Sequence, residues 1–337
     1  MTTAIRSRVT GTGMYVPERV VTNHELAQRM DTSDEWIRQR SGISERRHVD
    51  GTETPMDLAL HASRRALDAA GVTADEIDAI VLATLSPQHE FPGTSFFLHH
   101  ALGVPEIPCF DLRAQCSGFL YSLATADAFI RSGQMRRMLV VGCEVHSTGL
   151  EFTNRGRDTA VLFGDGAGAV VVEVNPVADD RSGVLAIRMH AQGEYGKKLW
   201  IEAPGSAYYP QRFTQQMFEA GAHYPRMEGR FVFKHAVTRM PEVLHETLDA
   251  AGIKLDDVDL FLFHQANQRI NEFVAQSLGI PAAKCPSNIE RFGNCSAASI
   301  PMLLDEVVRS GRLQKGQLVA MTAFGAGFTW ATAVVRW

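Results

Sequence analysis

No stretch of this sequence approaches the roughly 20 consecutive apolar residues that a membrane-spanning helix needs. The N-terminus "MTTAIRSRVTGTGMYVP" also lacks the charged-then-apolar order of a secretion signal. Membrane insertion and export are thereby set aside, and a cytoplasmic protein is expected. Charge of one sign is lacking as well: 33 Lys and Arg stand against 38 Asp and Glu, a net charge of −5, with no long run of either. That balance leaves no electrostatic footprint for nucleic acid or an anionic lipid surface. Cysteine is scarce. The five residues Cys109, Cys116, Cys143, Cys285 and Cys295 are odd in number and have no CxxC spacing, which argues against a disulfide framework and a zinc site. A dinucleotide fingerprint is missing too, since "GDGAGA" runs into a Val-rich strand rather than a helix and "GTGMYV" at 11 to 16 has no third glycine. No permanently bound cofactor, nucleotide or metal is expected.

What is present is 337 residues, 45% of them hydrophobic, enough for a large core in two domains or a duplicated unit. The repeat is visible. "ALDAAGVTADEIDAIVLAT" at 66 to 84 matches "TLDAAGIKLDDVDLFLFHQ" at 247 to 265, 181 residues later. Each reads as a helix end, a Gly stop, an acidic turn and a buried strand. "CSGFLYSLATADAFIRSGQMRRMLVVG" from Cys116 matches "NCSAASIPMLLDEVVRSGRLQKGQLVA" from Asn294, both passing through Arg-Ser-Gly into a strand. "GDGAGAVVVEV" and "GAGFTWATAVV" each place a glycine-rich turn before a strand. Apolar runs such as "DAIVLAT" and "DLFLF" suit a sheet covered on both faces. The expectation is α/β, with two related halves, 1–175 and 176–337, packed about a pseudo-twofold axis. Cys116 and Asn294 are aligned in this reading, each at the start of a helix.

A lone cysteine is more often a buried hydrophobe than a nucleophile. Cys116 nevertheless precedes a helical run (Phe119, Leu120, Leu123, Ala124), and amide N–H groups at a helix start lower a thiol pKa. His264 follows the strand "DLFLF", at the carboxyl end where α/β enzymes expose functional groups. Its counterpart Ala83 shows that the shared scaffold does not require a histidine there. A satisfied core histidine remains the competing reading. Asn294 taken alone reads as a helix N-cap. "FGAGFTW" at 324 to 330 reads as a tight turn that brings backbone amides close to a ligand, the usual material of an oxyanion hole.

Six ordered motifs, "DEWIRQRSGI", "AQCSGFLY", "GDGAGA", "HQANQRI", "RFGNCSAASIP" and "FGAGFTW", spread over nearly all the chain, resemble those of β-ketoacyl-acyl-carrier-protein synthase III, the initiating condensing enzyme of bacterial fatty-acid synthesis. The resemblance implies the thiolase fold, two duplicated halves layered α-β-α-β-α, in a homodimer. It implies an acyltransferase that loads an acyl-CoA onto Cys116 and condenses it with malonyl acyl carrier protein, assisted by His264 and Asn294. Backbone N–H groups of Cys116 and Ala326 then form the oxyanion hole. Trp36, Arg40 and Arg155 match contacts to the CoA adenine, and Asn267 matches one to pantetheine. Phe91 and Phe324 match the acyl pocket, with Phe91 supplied across a dimer. Lys234 and Arg269 match the rim on which the carrier protein docks.

Three departures stand out. "FGAGFTW" has alanine where the family has glycine, and "NRGRDTAVLFGDG" is two residues longer than the usual segment. An aromatic insertion at 199–226 holds Trp200, Tyr208, Tyr209, Phe213, Phe218 and Tyr224, which suits the covering of apolar surface near the acyl tunnel or a dimer contact. "DLRAQCSG", "TLSPQHE" and "APGSA" also resemble the quinolone-signal condensing enzyme, so acetyl, branched, medium-chain and aryl primers all stay open.

Overall fold

The computed structural model describes residues 6–176 and 182–337. The first five residues, part of the stretch read for a secretion signal, and residues 177–181, just past the expected boundary between the halves, lie outside the described residues. In chain order the first elements are β1 (Ser7–Tyr15), α1 (Asp34–Ser41), α2 (Pro55–Ala70), β2 (Ala79–Ala83), α3 (Thr94–Leu102), β3 (Cys109–Leu112), α4 (Gly118–Arg131), β4 (Arg137–Glu144) and β5 (Gly166–Val174). There follow β6 (Gly183–Ala191), β7 (Leu199–Trp200), β8 (Arg226–Met227), α5 (Gly229–Ala251), β9 (Leu260–Phe263), α6 (Gln268–Ser277), α7 (Ser299–Arg309), β10 (Leu318–Gly325) and β11 (Thr329–Arg336).

Two sheets carry the fold. The first has the order β1-β5-β4-β2-β3 and the second β6-β11-β10-β9. In both, the first three strands run antiparallel to their neighbours and the next joins in parallel. The duplication reaches into irregularities: β1 slips register between Val9 and Gly11, and β6 slips at the corresponding place, Val184 and Ala186. β3 has no counterpart in the second sheet among the described residues.

Strand alternation explains the layers, because successive side chains point to opposite faces. Val81, Val140, Val170, Leu262 and Met321 face a shared core filled by Leu120, Leu123 and Ile130 of α4 and by Ile300, Leu303 and Leu304 of α7. Ile80, Leu82 and Leu139 face the opposite way, against Leu58, Ala62 and Ala66 of α2. Phe261 and Phe263 meet Met240 and Leu244 of α5 and Val274 of α6. The order is helices, sheet, the α4–α7 pair, sheet, helices, so the expected α-β-α-β-α layering holds. The repeated "AAG" is a helix stop in both halves: Gly71 and Gly252 each end a helix in the left-handed region.

The aromatic insertion divides. β7 and β8 pair, with Trp200 opposite Arg226, whereas Tyr209 is 97% exposed and Phe213 and Phe218 stay partly open to solvent. The expectation of a covering role therefore fits only its inward-facing members. The insertion is anchored from outside by polar contacts such as Arg212–Glu90. Among the described residues no helix is long and apolar enough to cross a membrane.

Candidate active site

Cys116 sits in a short helical turn, Gln115–Ser117, that leads directly into α4. Ser296–Ala298 leads into α7 in the same way. Each turn begins on a non-glycine residue in the left-handed region, Gln115 at φ 44° and Ser296 at φ 43°, a strained conformation that a packed surround must hold in place. The matched turns make Ala297, not Asn294, the structural counterpart of Cys116. The slip has a simple cause: α7 has 11 residues and α4 has 14. An alignment anchored on the Arg-Ser-Gly at the helix ends is therefore three residues out at the helix starts.

Cys116 is buried, and burial pushes its thiol up to about 11. The Ser296 hydroxyl, which donates to Sγ at 3.4 Å, and the backbone N–H groups of Ala326 and Cys116 act in the opposite direction, while the nearby Glu144 carboxyl adds to the rise. The sequence suggested a lowered pKa from the helix start. Desolvation outweighs that effect, because the thiol lies inside the protein rather than at an exposed helix end. Gly325, at the end of β10, makes the arrangement possible: a Cβ there would stand 2.7 Å from the Cys116 Cβ and 2.9 Å from its N.

His264 extends β9 by one ladder bond, its N–H donating to the Thr322 carbonyl at 2.8 Å. Its ring is buried. Nδ1 lies 2.7 Å from the Ser299 hydroxyl, and Nε2 has no partner. Burial lowers its pKa to about 3, so the imidazole is neutral. Asn294 is held by both backbone groups: its N–H donates to the Leu162 carbonyl and its carbonyl accepts the Gly164 N–H. Its Oδ1 accepts the Ser296 N–H at 2.8 Å. That bond orients the side-chain amide and leaves Nδ2 as an available donor.

Cys116, His264 and Asn294 line one cavity of about 810 Å3. Trp36, Arg40, Asn267, Arg269 and Phe324 line it too. Asn267 caps α6 and donates to the Arg40 carbonyl at 2.9 Å, tying α6 to the end of α1. Arg155 does not line this cavity; its guanidinium is held by Glu151 and by the Glu219 carbonyl. Arg157 lies over the Trp36 ring instead, 4.8 Å from its centroid, with Arg40 at 4.4 Å. Lys234 is exposed on α5, beside the lining residue Phe233.

A second cavity, of about 1190 Å3, also reaches Cys116 and is lined by Ala326. Phe163 and Leu199 border both cavities. Phe324 lines the first and not the second, since its ring packs against Phe328 and Trp330. Phe91 lines neither and is 80% exposed. Within this chain, therefore, neither residue matched to the acyl pocket borders the second cavity.

Three residues here were missed from the sequence. Ser296 and Ser299 look like ordinary small residues of a helix start. Glu144 ends β4 fully buried and accepts hydrogen bonds from the Leu85 and Ser86 N–H groups, the Thr84 and Ser86 hydroxyls and the Ala297 N–H. Burial holds its carboxyl up to about 7. An acidic residue closing an apolar strand is the one hint the sequence offered.

Residues 110–193 match the family model for 3-oxoacyl-acyl-carrier-protein synthase III, and residues 248–337 match the model for its C-terminal part. The β-ketoacyl-acyl-carrier-protein synthase III of Xanthomonas campestris is 45% identical over the whole of both chains. That of Erythrobacter litoralis is 45% identical over 99% of this chain and 100% of its own. The crystal structure of 3-oxoacyl-acyl-carrier-protein synthase III from Aquifex aeolicus has a TM-score of 0.89 at 42% identity, covering 98% of this chain and 100% of that one. With its doubled sheets and its Cys, His and Asn on one cavity, this chain belongs to the β-ketoacyl-acyl-carrier-protein synthase III family of condensing acyltransferases.

Proposed function

We propose that the chain performs a two-step decarboxylating condensation in which Cys116 carries the acyl group. The observation that carries this reading is the convergence of Cys116, His264 and Asn294 on one cavity, with the far sides of the histidine and asparagine already hydrogen-bonded. In the first step Cys116 sulfur attacks the carbonyl of an acyl-CoA thioester. The new sulfur–carbon bond replaces the one to CoA, which leaves as the thiol with the cysteine proton. In the second step a malonyl thioester on acyl carrier protein loses carbon dioxide. The electrons of the broken carbon–carbon bond form an enolate, whose oxygen accepts hydrogen bonds from His264 Nε2 and Asn294 Nδ2. The Ser299 hydroxyl also takes the Gln265 N–H; by donating its own proton to Nδ1 it keeps the ring proton on Nε2. The enolate carbon then attacks the acyl carbonyl, whose oxyanion is held by the N–H groups of Cys116 and Ala326. Collapse expels Cys116 and releases 3-oxoacyl carrier protein. No bound cofactor enters either step.

In this reading CoA enters past Trp36, Arg40 and Asn267, with Arg157 rather than Arg155 completing the stack on Trp36. The acyl chain passes Cys116 into the second cavity. Arg269 and Lys234 receive the acidic carrier protein, and Phe91 contributes to the partner subunit of a homodimer in the cytoplasm. The test is intact-mass detection of acyl-Cys116 after incubation with acyl-CoA, followed by turnover with malonyl carrier protein. A native protein that neither gains an acyl mass nor releases carbon dioxide sinks the proposal.

Three further outcomes are expected. Acylation should accelerate with pH by about tenfold per unit well below the thiol pKa, because that pKa lies near 11 and the thiolate fraction grows as pH rises towards it. Decarboxylation should stay flat from about pH 6 to 9, since a histidine with a pKa near 3 is already neutral there. Stopped-flow acylation and carbon dioxide release, measured separately, check both; parallel profiles contradict the assignment. Gly325→Ala places a methyl against Cys116, and acylation is expected to fall at least about tenfold as the nucleophile and its N–H are displaced. Unchanged acylation kinetics in the folded variant contradict that contact.

A further inference from the structure

We infer that the second cavity selects a primer whose acyl group bears a hydroxyl or an uncharged amino group rather than a plain hydrocarbon chain. The inference rests on the reading of Cys116 as the acylated residue. Much of the wall is apolar, with Leu85, Val145, Leu150 and Phe163, and suits a hydrocarbon stem. The same wall contains three side chains with a polar atom that is shut off from solvent and has no hydrogen-bond partner: Gln88 Oε1, His146 Nε2 and His223 Nδ1. Buried polar atoms are nearly always paired, and those that are not call for a ligand, a water or a catalytic role. Three on one cavity that opens onto the nucleophile point to a ligand.

The three groups are also held in place. His146 donates its backbone N–H to Asp165 Oδ1 at 2.7 Å, and its ring packs against Phe163 with centroids 4.7 Å apart. Asp165 itself is anchored by Val49 and Ser147, which assigns the aspartate of "GDGAGA" a structural task that the sequence left open. His223 stacks flat on Phe218, 5.0 Å between centroids. The N–H of Gln88 is held by the Thr94 hydroxyl.

The donor and acceptor pattern sets the chemistry. Burial lowers the His146 pKa to about 3, so its ring is neutral, with one nitrogen donating and the other accepting. The Gln88 oxygen only accepts. A group that both donates and accepts can pair with either kind of member in this set, and a hydroxyl or neutral amine does so. A saturated chain of equal length leaves the polar atoms unpaired, and sites built to hydrogen-bond a substrate group discriminate strongly against the analogue lacking it.

Matched thioesters test this directly: hexanoyl-CoA against hydroxyhexanoyl-CoA isomers, and benzoyl-CoA against hydroxy- and aminobenzoyl-CoA, with kcat/KM of Cys116 acylation followed by intact mass. At least one substituted member of each set is expected to react tenfold or more faster than its parent. His146→Phe keeps the ring packing and removes the nitrogens; Gln88→Leu removes the carboxamide. Each should bring the ratio towards one by raising the parent's rate. Parents that match or outrun every substituted member in the native protein overturn the inference while leaving the condensing reading intact. A preference that survives both substitutions overturns the assignment to these residues. No adduct with any thioester overturns the role of Cys116, and the inference with it.

Discussion

Cys116→Ala is expected to abolish condensation, by on the order of 10^4-fold or more, while the protein still releases carbon dioxide from malonyl carrier protein. The split follows from where the groups sit. Cys116 supplies the sulfur that stores the acyl group, whereas the donors for the enolate are His264 and Asn294, fixed by Ser299 and Ser296 and by the strand and bridge that hold their backbones. Removing one sulfur leaves those contacts in place apart from the Ser296 hydroxyl, whose bond to Sγ is lost. Alanine at 116 also matches what stands at the same point of the other half, Ala297, so the turn tolerates it. Absence of an acyl mass on the variant, with carbon dioxide release within about tenfold of the native rate, is the expected pair of results. Loss of both activities in a folded variant contradicts the division of labour.

The mirror experiment is His264→Ala. Acyl-Cys116 should form at close to the native rate, and condensation should fall by about 10^2 to 10^3-fold, the usual cost of one donor to a developing oxyanion. The neutral ring matters here: burial holds its pKa near 3, so it acts as a hydrogen-bond donor and not as a cation or a titrating base. Ser299→Ala provides the finer test. A purely structural serine lowers both half-reactions together with stability, whereas a tautomer-setting one lowers decarboxylation alone, with rescue by Ser299→Thr. Single-turnover acylation and steady-state carbon dioxide release separate the two cases, and equal loss in both half-reactions of His264→Ala contradicts its assigned role.

How much of this was legible in the chain depends on the range of the interaction. Helix stops at Gly71 and Gly252 and the buried strands around Val81 and Leu262 were readable, because a left-handed cap and a two-residue alternation are local properties. Cys116, His264 and Asn294 were named from short motifs, and the structure brings all three to one cavity. Their internal alignment was out by three residues, since a difference in helix length leaves no mark in a gap-free match. Arg155 was named from its motif and Arg157 was not considered, since a motif does not show which guanidinium lies over Trp36.

The sequence by itself determined the duplicated α/β architecture, the matched helix-stop and strand segments of the two halves, and the residue types available for acyl transfer, because these follow from periodicity, turn chemistry and motif. Only the tertiary structure decided the electrostatics and the pockets. Burial overrides the helix start and keeps Cys116 a thiol, packing leaves His264 neutral with Nε2 free, and loops remote in sequence set Gln88, His146 and His223 in the wall of one cavity. Desolvation and enclosure depend on everything that surrounds a group, and those neighbours come from distant parts of the chain.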